Sequence, residues 1–355
     1  MAQFTHLHVH SQYSLLDGQA SIPRMVDKAV SLGMRGMALT DHGNMFGIKE
    51  FFNYVSKKNK GLSDDEKFKP ILGCEMYVAK HDLHDRGDKR DNGYHLIVLA
   101  KNQTGYHNLI KLVSKAWTEG YYFKPRTDHK ELAEHREGLI VASACLGGEV
   151  PQLFMNGQEK EAEETILWFK EIFGDDYYLE VQRHKTDKPN GNRQVYEEQE
   201  RLNPFLIEMA RKHNIKLIAT NDSHFVDEND AEAHDRLICI SMGKRFNDPT
   251  RLHYTKQEWF KSQQEMEAVF PDLPEAIANT QEILDKVEFY SIDHSPIMPE
   301  FAIPAEFGSE DEYRRRFTEQ DLFEEFTRDE NGNVVLSRED ADSKIQKLGG
   351  YDKLY

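Results

Sequence analysis

The stretch Thr5-His6-Leu7-His8-Val9-His10 places a histidine at every second position. Alternation at period two reads as a strand, so His6, His8 and His10 project from one face. Imidazole is the commonest metal ligand among side chains. The spacing brings His8 and His10 close enough to chelate one ion. His6 sits one pair deeper, where it either supports a ligand or is one. Asp17 follows in the next loop.

Matching groups recur where later apolar runs end. Met37–Thr40 runs straight into Asp41-His42-Gly43, Glu75 lies in the run Pro70–Val78, and Cys145 follows Gly138–Ala144. Asp222 and His224 follow Ile215–Thr220. His95 is discordant: it opens the run His95–Ala100 and falls on the opposite rim if all strands are parallel. Imidazoles, carboxylates and one thiol are too many ligands for a single tetrahedral zinc. They suit two or three divalent ions bridged by carboxylates, with zinc, manganese or iron favoured over magnesium or calcium. Clusters of this kind hydrolyse phosphate esters. The ions lower the pKa of a bound water, hold the hydroxide in line and stabilise the leaving oxygen. Asp41 is placed to orient His42 or a bound water. Arg183 and His184, after the sixth strand, either contact phosphate or belong to a solvated loop.

The elements that must position these groups alternate. Strands are expected at 4–10, 37–40, 70–78, 95–100, 138–144, 177–182 and 215–220, with helices between them. Continuous apolar runs indicate a parallel sheet buried on both faces. Seven such units predict an α/β fold: a distorted (β/α)7 barrel with its site where the strands end. Pro204 predicts a kink or break in the helix 192–213. His234, Cys74 and Cys239 read as core. The barrel is expected over residues 1–285. Residues 286–355 read as a polar connector, and Ser309–Tyr355 has little to bury, as in a stretch of a longer chain.

The chain has 355 residues, 39% of them hydrophobic, and a net charge of −17. That charge opposes a grip on nucleic acid by counterion release. It does not exclude an anionic substrate, because bound divalent ions invert the local field. No apolar run is long enough to span a membrane. The first residues lack the pattern of a signal peptide. Three cysteines are too few and too scattered for a disulfide framework. A cytoplasmic protein is expected.

His8-Val-His10, Asp17-Gly18, Thr40-Asp41-His42-Gly43-Asn44, Gly73-Cys-Glu75, Ser143-Ala-Cys145 and Asn221-Asp222-Ser-His224 together resemble the polymerase and histidinol phosphatase (PHP) family. Lys69-Pro-Ile-Leu-Gly-Cys-Glu75, Leu99-Ala-Lys-Asn-Gln-Thr-Gly-Tyr106 and Gly138-Leu-Ile-Val-Ala-Ser143 are similar to the PHP domain of bacterial C-family replicative DNA polymerases. The resemblance covers residues 3–300. It implies a distorted seven-stranded barrel holding up to three metals. The ligand positions it implies are His8, His10, Asp17, His42, Glu75, His95, Cys145, Asp222 and His224. It also implies a metal-dependent 3′–5′ exonuclease or a pyrophosphatase. In other members the domain braces the polymerase core and docks the proofreading exonuclease subunit. The implied partners are DNA, the remaining polymerase domains and other subunits of the replicase, with no membrane. The polymerase's own aspartates are expected beyond Tyr355, so this chain alone is not expected to polymerise DNA. Two alternatives stay open: a stand-alone phosphatase of the histidinol-phosphate type, and a non-catalytic docking module.

Overall fold

The structure, a computed structural model, describes residues 4–88, 91–297, 306 and 308–354. Among the described residues eight strands form: β1 (Gly36–Leu39), β2 (Lys69–Val78), β3 (Tyr94–Ala100), β4 (Tyr121–Tyr122), β5 (Lys124–Thr127), β6 (Leu139–Ala142), β7 (Tyr177–Val181) and β8 (Lys216–Ala219). β1 runs parallel to β2, and β6, β7 and β8 run parallel to one another. β3 is antiparallel to both of its neighbours, β2 and β6. The all-parallel expectation is therefore corrected. The reversal also resolves the discordance of His95, whose partner across the sheet is Tyr77 near the end of β2.

The N-terminal segment closes the ring without being a ladder strand. On one side Ala38 N–H donates to the His6 carbonyl and Thr40 N–H to that of Val9. On the other side His10 N–H donates to the Ser223 carbonyl and Ser223 N–H to that of His8. Its hydrogen bonds are split between two neighbours, and Val9 N–H is taken by the Thr40 hydroxyl, so only an isolated bridge to Ser223 forms. With this segment the sheet becomes a distorted seven-membered barrel. The β4–β5 hairpin adds to the end of β2.

The period-two pattern sorts the barrel interior by depth. Ile71, Ile97, Ile140, Tyr178 and Ile218 share one buried cluster, closed from below by Ile283 and Leu284 of the helix Pro274–Lys286. Two or four residues along the same faces stand Glu75, His95, Glu180 and Thr220. Apolar side chains thus fill the lower barrel and polar ones its rim. The helix Gln194–His213 continues through Pro204, which lies on its exposed face.

The chain forms two compact units, Met1–Asp293 and His294–Tyr355. The first runs past residue 285 because Val287 is buried in the barrel cluster and Lys69 Nζ donates to its carbonyl. In the second, Ser309, Thr318 and Ser337 cap the helices Glu310–Arg316, Glu319–Phe326 and Arg338–Leu348. Leu322, Ala341 and Ile345 supply its small buried core. Among the described residues no helix is long and apolar enough to cross a membrane.

Candidate metal centre

Glu75 is the hub of the rim. Its Oε1 lies 3.3 Å from His8 Nε2 and 2.9 Å from His95 Nδ1. Its Oε2 lies 3.1 Å from His10 Nε2 and 2.7 Å from His42 Nδ1. Asp222 Oδ1 stands 3.1 Å from His8 Nε2, 3.2 Å from His10 Nε2 and 3.5 Å from His224 Nδ1. Asp17 Oδ2 is 2.9 Å from His42 Nε2 and 3.3 Å from His224 Nε2. Cys145 Sγ completes the set, 3.6 Å from His95 Nδ1 and 3.8 Å from Glu75 Oε1. The structure therefore places His8, His10, Asp17, His42, Glu75, His95, Cys145, Asp222 and His224 around one centre.

Local backbone geometry aims several of them. A Cβ on Gly18 would meet the Ser11 carbonyl oxygen at 2.0 Å, so the turn after His10 closes tightly and brings Asp17 back over the rim. Asp222 and Ala144, the latter just before Cys145, have φ of +45° and +62°. Left-handed non-glycine residues cost about 1–3 kcal/mol each and persist where the surroundings over-determine them. Here they turn the chain inward beyond β8 and β6.

The atoms fit a divalent ion better than they fit one another. His8 Nε2, His10 Nε2, His42 Nδ1, Glu75 Oε2 and Asp222 Oδ1 are buried and make no hydrogen bond. Buried polar atoms are almost always satisfied, so a converging group of orphans calls for a further partner. At this rim three candidate triplets have ligand atoms within 4.8 Å of one another: His8/His10/Glu75, His10/His42/His224 and His42/Glu75/His95. The electrostatics agree. Burial lowers the pKa of His8, but Asp222, Glu180 and Glu75 overcome it and raise it well above the ordinary value. Against burial, Glu75 and Asp17 push His42 up to about 10, and Asp17 and Asp222 push His224 up to about 9. Burial raises Glu75, yet His42, His95 and His8 hold it well below the usual carboxylate range. The cluster demands positive charge, which divalent ions would supply.

The supporting contacts differ in part from expectation. Asp41 accepts hydrogen bonds from Ser11 and Ser14, and Ser14 Oγ is 2.9 Å from His10 Nδ1. Asp41 thus orients His10 through Ser14; its carboxylate does not contact the His42 ring. His6 stays outside the centre: its Nε2 bonds the Lys261 carbonyl at 2.7 Å, and its ring packs on Phe260. Arg183 and His184 do not reach the centre either. Arg183 is paired with Asp272 and Glu200, and buried His184 bonds the Asn221 carbonyl.

Two contributors carried weak signals. Glu180 Oε1 lies 2.7 Å from His8 Nδ1, and its sequence sign was a lone acid in the apolar run Tyr177–Val181. The Tyr254 hydroxyl donates to Asp17 Oδ1 at 2.7 Å from a polar stretch with no pattern to mark it. The centre opens into a cavity of about 560 Å³ whose lining includes Asp17, His42, Tyr77, His95 and Tyr254.

The family model described as PHP domain matches residues 6–184. The chain is 42% identical over 327 residues to the DNA polymerase III subunit alpha of Treponema pallidum, covering 91% of this chain and 26% of that protein. It is 42% identical over 325 residues to that of Borreliella burgdorferi, covering 90% and 27%. The chain therefore spans about a quarter of the length of these relatives. A solved histidinol phosphate phosphatase from Lactococcus lactis superposes with a TM-score of 0.31 at 13% identity, over 73% of this chain and 99% of that one. That likeness is too loose to bear on function.

Proposed function

The chain belongs to the PHP domain family, and from that premise we propose that its barrel is a metal-dependent phosphoesterase that trims the 3′ end of DNA as a 3′–5′ exonuclease. The observation that carries this reading is the convergence of orphaned nitrogen and oxygen atoms from separate barrel segments on one rim. The nine side chains from His8 to His224 would hold two or three ions, and their mixed chemistry favours zinc, manganese or iron. When bound, such ions supply Lewis-acid chemistry at a phosphoryl oxygen.

The chain's own residues prepare that site. Glu180 fixes the ring of His8, Ser14 that of His10, and Tyr254 the carboxylate of Asp17. The cavity volume falls within the range of small-ligand sites, enough to admit a nucleotide. We assign DNA as substrate, and the further domains of a replicative polymerase chain and its proofreading subunit as partners. The second unit, from His294 onward, would serve as the connector toward those domains.

The test is degradation of 5′-labelled single-stranded and mispaired-primer DNA with added zinc or manganese. A chelator lane and the His8→Ala/His10→Ala protein run alongside. A ladder shortening from the 3′ end, absent in both controls, is the expected result. No cleavage by protein shown to carry its metals would overturn the reading.

A further inference from the structure

Phe46, Trp117, Tyr121 and Phe123 line the same cavity as Asp17, His42 and His95. All four are exposed, from 42% for Trp117 to 61% for Phe123. Single exposed apolar side chains are ordinary; four rings leading into one centre are not. Trp117 lies 6.0 Å from Phe46 and 5.6 Å from Tyr121, the latter pair stacked at 26°. Trp117 Nε1 donates to the Gly43 carbonyl at 2.8 Å, which fixes the indole one residue from His42. Phe123 forms the tip of the β4–β5 hairpin at φ +59°. A bulky residue is an outlier there, where glycine would be unstrained. The fold thus holds a large ring in solvent at a conformational cost.

We propose that these rings are a stacking shelf for the terminal bases of a single-stranded DNA end, guiding it to the metal centre. The proposal deepens the phosphoesterase reading and rests on it. Every base offers a π-face, so stacking on aromatic side chains binds single strands without reading sequence. Lys124 Nζ stands 5.1 Å over the Tyr77 ring, itself 6.0 Å from the His42 ring, so a cation sits between shelf and centre. With a net charge of −17, the chain as a whole offers phosphates little attraction, so without metal the stacking of bases is the larger contribution. A cavity continuous with the ligand set favours a chain end over a protein face.

The test is fluorescence anisotropy on the 355-residue chain, in chelator, with a fluorescein-labelled thymidine octamer and an abasic octamer of equal charge. The thymidine strand is expected to bind roughly tenfold more tightly or better, since each stacked base contributes about five- to hundredfold. Phe123→Ala and Tyr121→Ala are each expected to cut that preference about fivefold or more, and Tyr121→Phe to retain it. The preference should also change little with salt, unlike a phosphate-driven one. Equal binding of the two octamers, or a preference untouched by Phe123→Ala, overturns the shelf and leaves the rings to a protein partner. Because binding is read without metals, base preference without cleavage would sink only the phosphoesterase reading. Cleavage without base preference would sink only the shelf.

Discussion

Glu180 Oε1 lies 2.7 Å from His8 Nδ1, with neither side chain exposed to solvent. The carboxylate accepts a hydrogen bond from His8 Nδ1–H and so turns Nε2 toward Glu75 and Asp222. Thr220 and Gln182 hold the carboxylate in turn. Such outer partners typically contribute 10–100-fold to metal affinity. Glu180→Gln preserves the volume and removes the charge. It is expected to weaken metal binding by about tenfold, read by competition with a chromophoric chelator. An unchanged affinity would mean that packing alone orients His8.

Metal removal should cost stability. Ions that bind only the folded chain stabilise it by about 2.7 kcal/mol at a hundredfold excess over Kd. For a unit of nearly 300 residues each kcal/mol is worth roughly 1.5–2 °C in Tm. Adding a chelator to the metal-loaded protein is therefore expected to lower Tm by roughly 4–5 °C. The His8→Ala/His10→Ala protein should show a much smaller chelator effect. Equal shifts in the two would place the stabilising ions elsewhere.

Most of the rim residues were legible because they stand near the ends of apolar runs, and strand ends share a rim. The orientation of β3 was not legible, since an apolar run carries no sign of direction. Only the placement of His95 hinted at it. The segment Phe4–His10 reads as a strand from its alternation, yet pairing shared between two neighbours leaves it without a ladder. For Arg183, sequence leaves phosphate contact and a solvated loop open for a different reason. A cation after a strand looks available for phosphate until Asp272, 89 residues later in the chain, is seen to neutralise it. Long-range partners of this kind leave no local trace.

Lys261 makes one pH dependence readable. Its ammonium is buried 3.4 Å over the Trp259 ring centroid, bonded to the Gln257 carbonyl and 3.2 Å from Asn221 Oδ1. Burial pushes its pKa down to about 7, partly opposed by Glu258, Glu265 and Glu228. In the unfolded chain it titrates near 10.4. Between these values the unfolded state holds a proton that the folded state lacks, so this group's contribution to stability rises with pH from about 7 to about 10. Below pH 7 both states are protonated and the penalty is present in full. Lys261→Met should remove that slope. The measurement is the difference in urea unfolding free energy between wild type and variant at pH 6, 8 and 9.5. A difference constant across the series would show that Lys261 keeps its proton in the fold.

Phe123 offers a test of whether the hairpin tip is strained. Its φ of +59° disfavours any side chain with a Cβ, and its ring, 61% exposed, packs edge-on against Tyr122. The left-handed conformation costs an L-residue about 1–2 kcal/mol. Glycine escapes that cost but gives up more chain entropy on folding, roughly 0.5–1 kcal/mol relative to alanine. Phe123→Gly is therefore expected to be more stable than Phe123→Ala by up to about 1 kcal/mol, both variants having lost the contact with Tyr122. Denaturant midpoints of the two variants decide it. A glycine variant less stable than the alanine variant would show that the tip is not held left-handed, and that the exposed ring is maintained without strain.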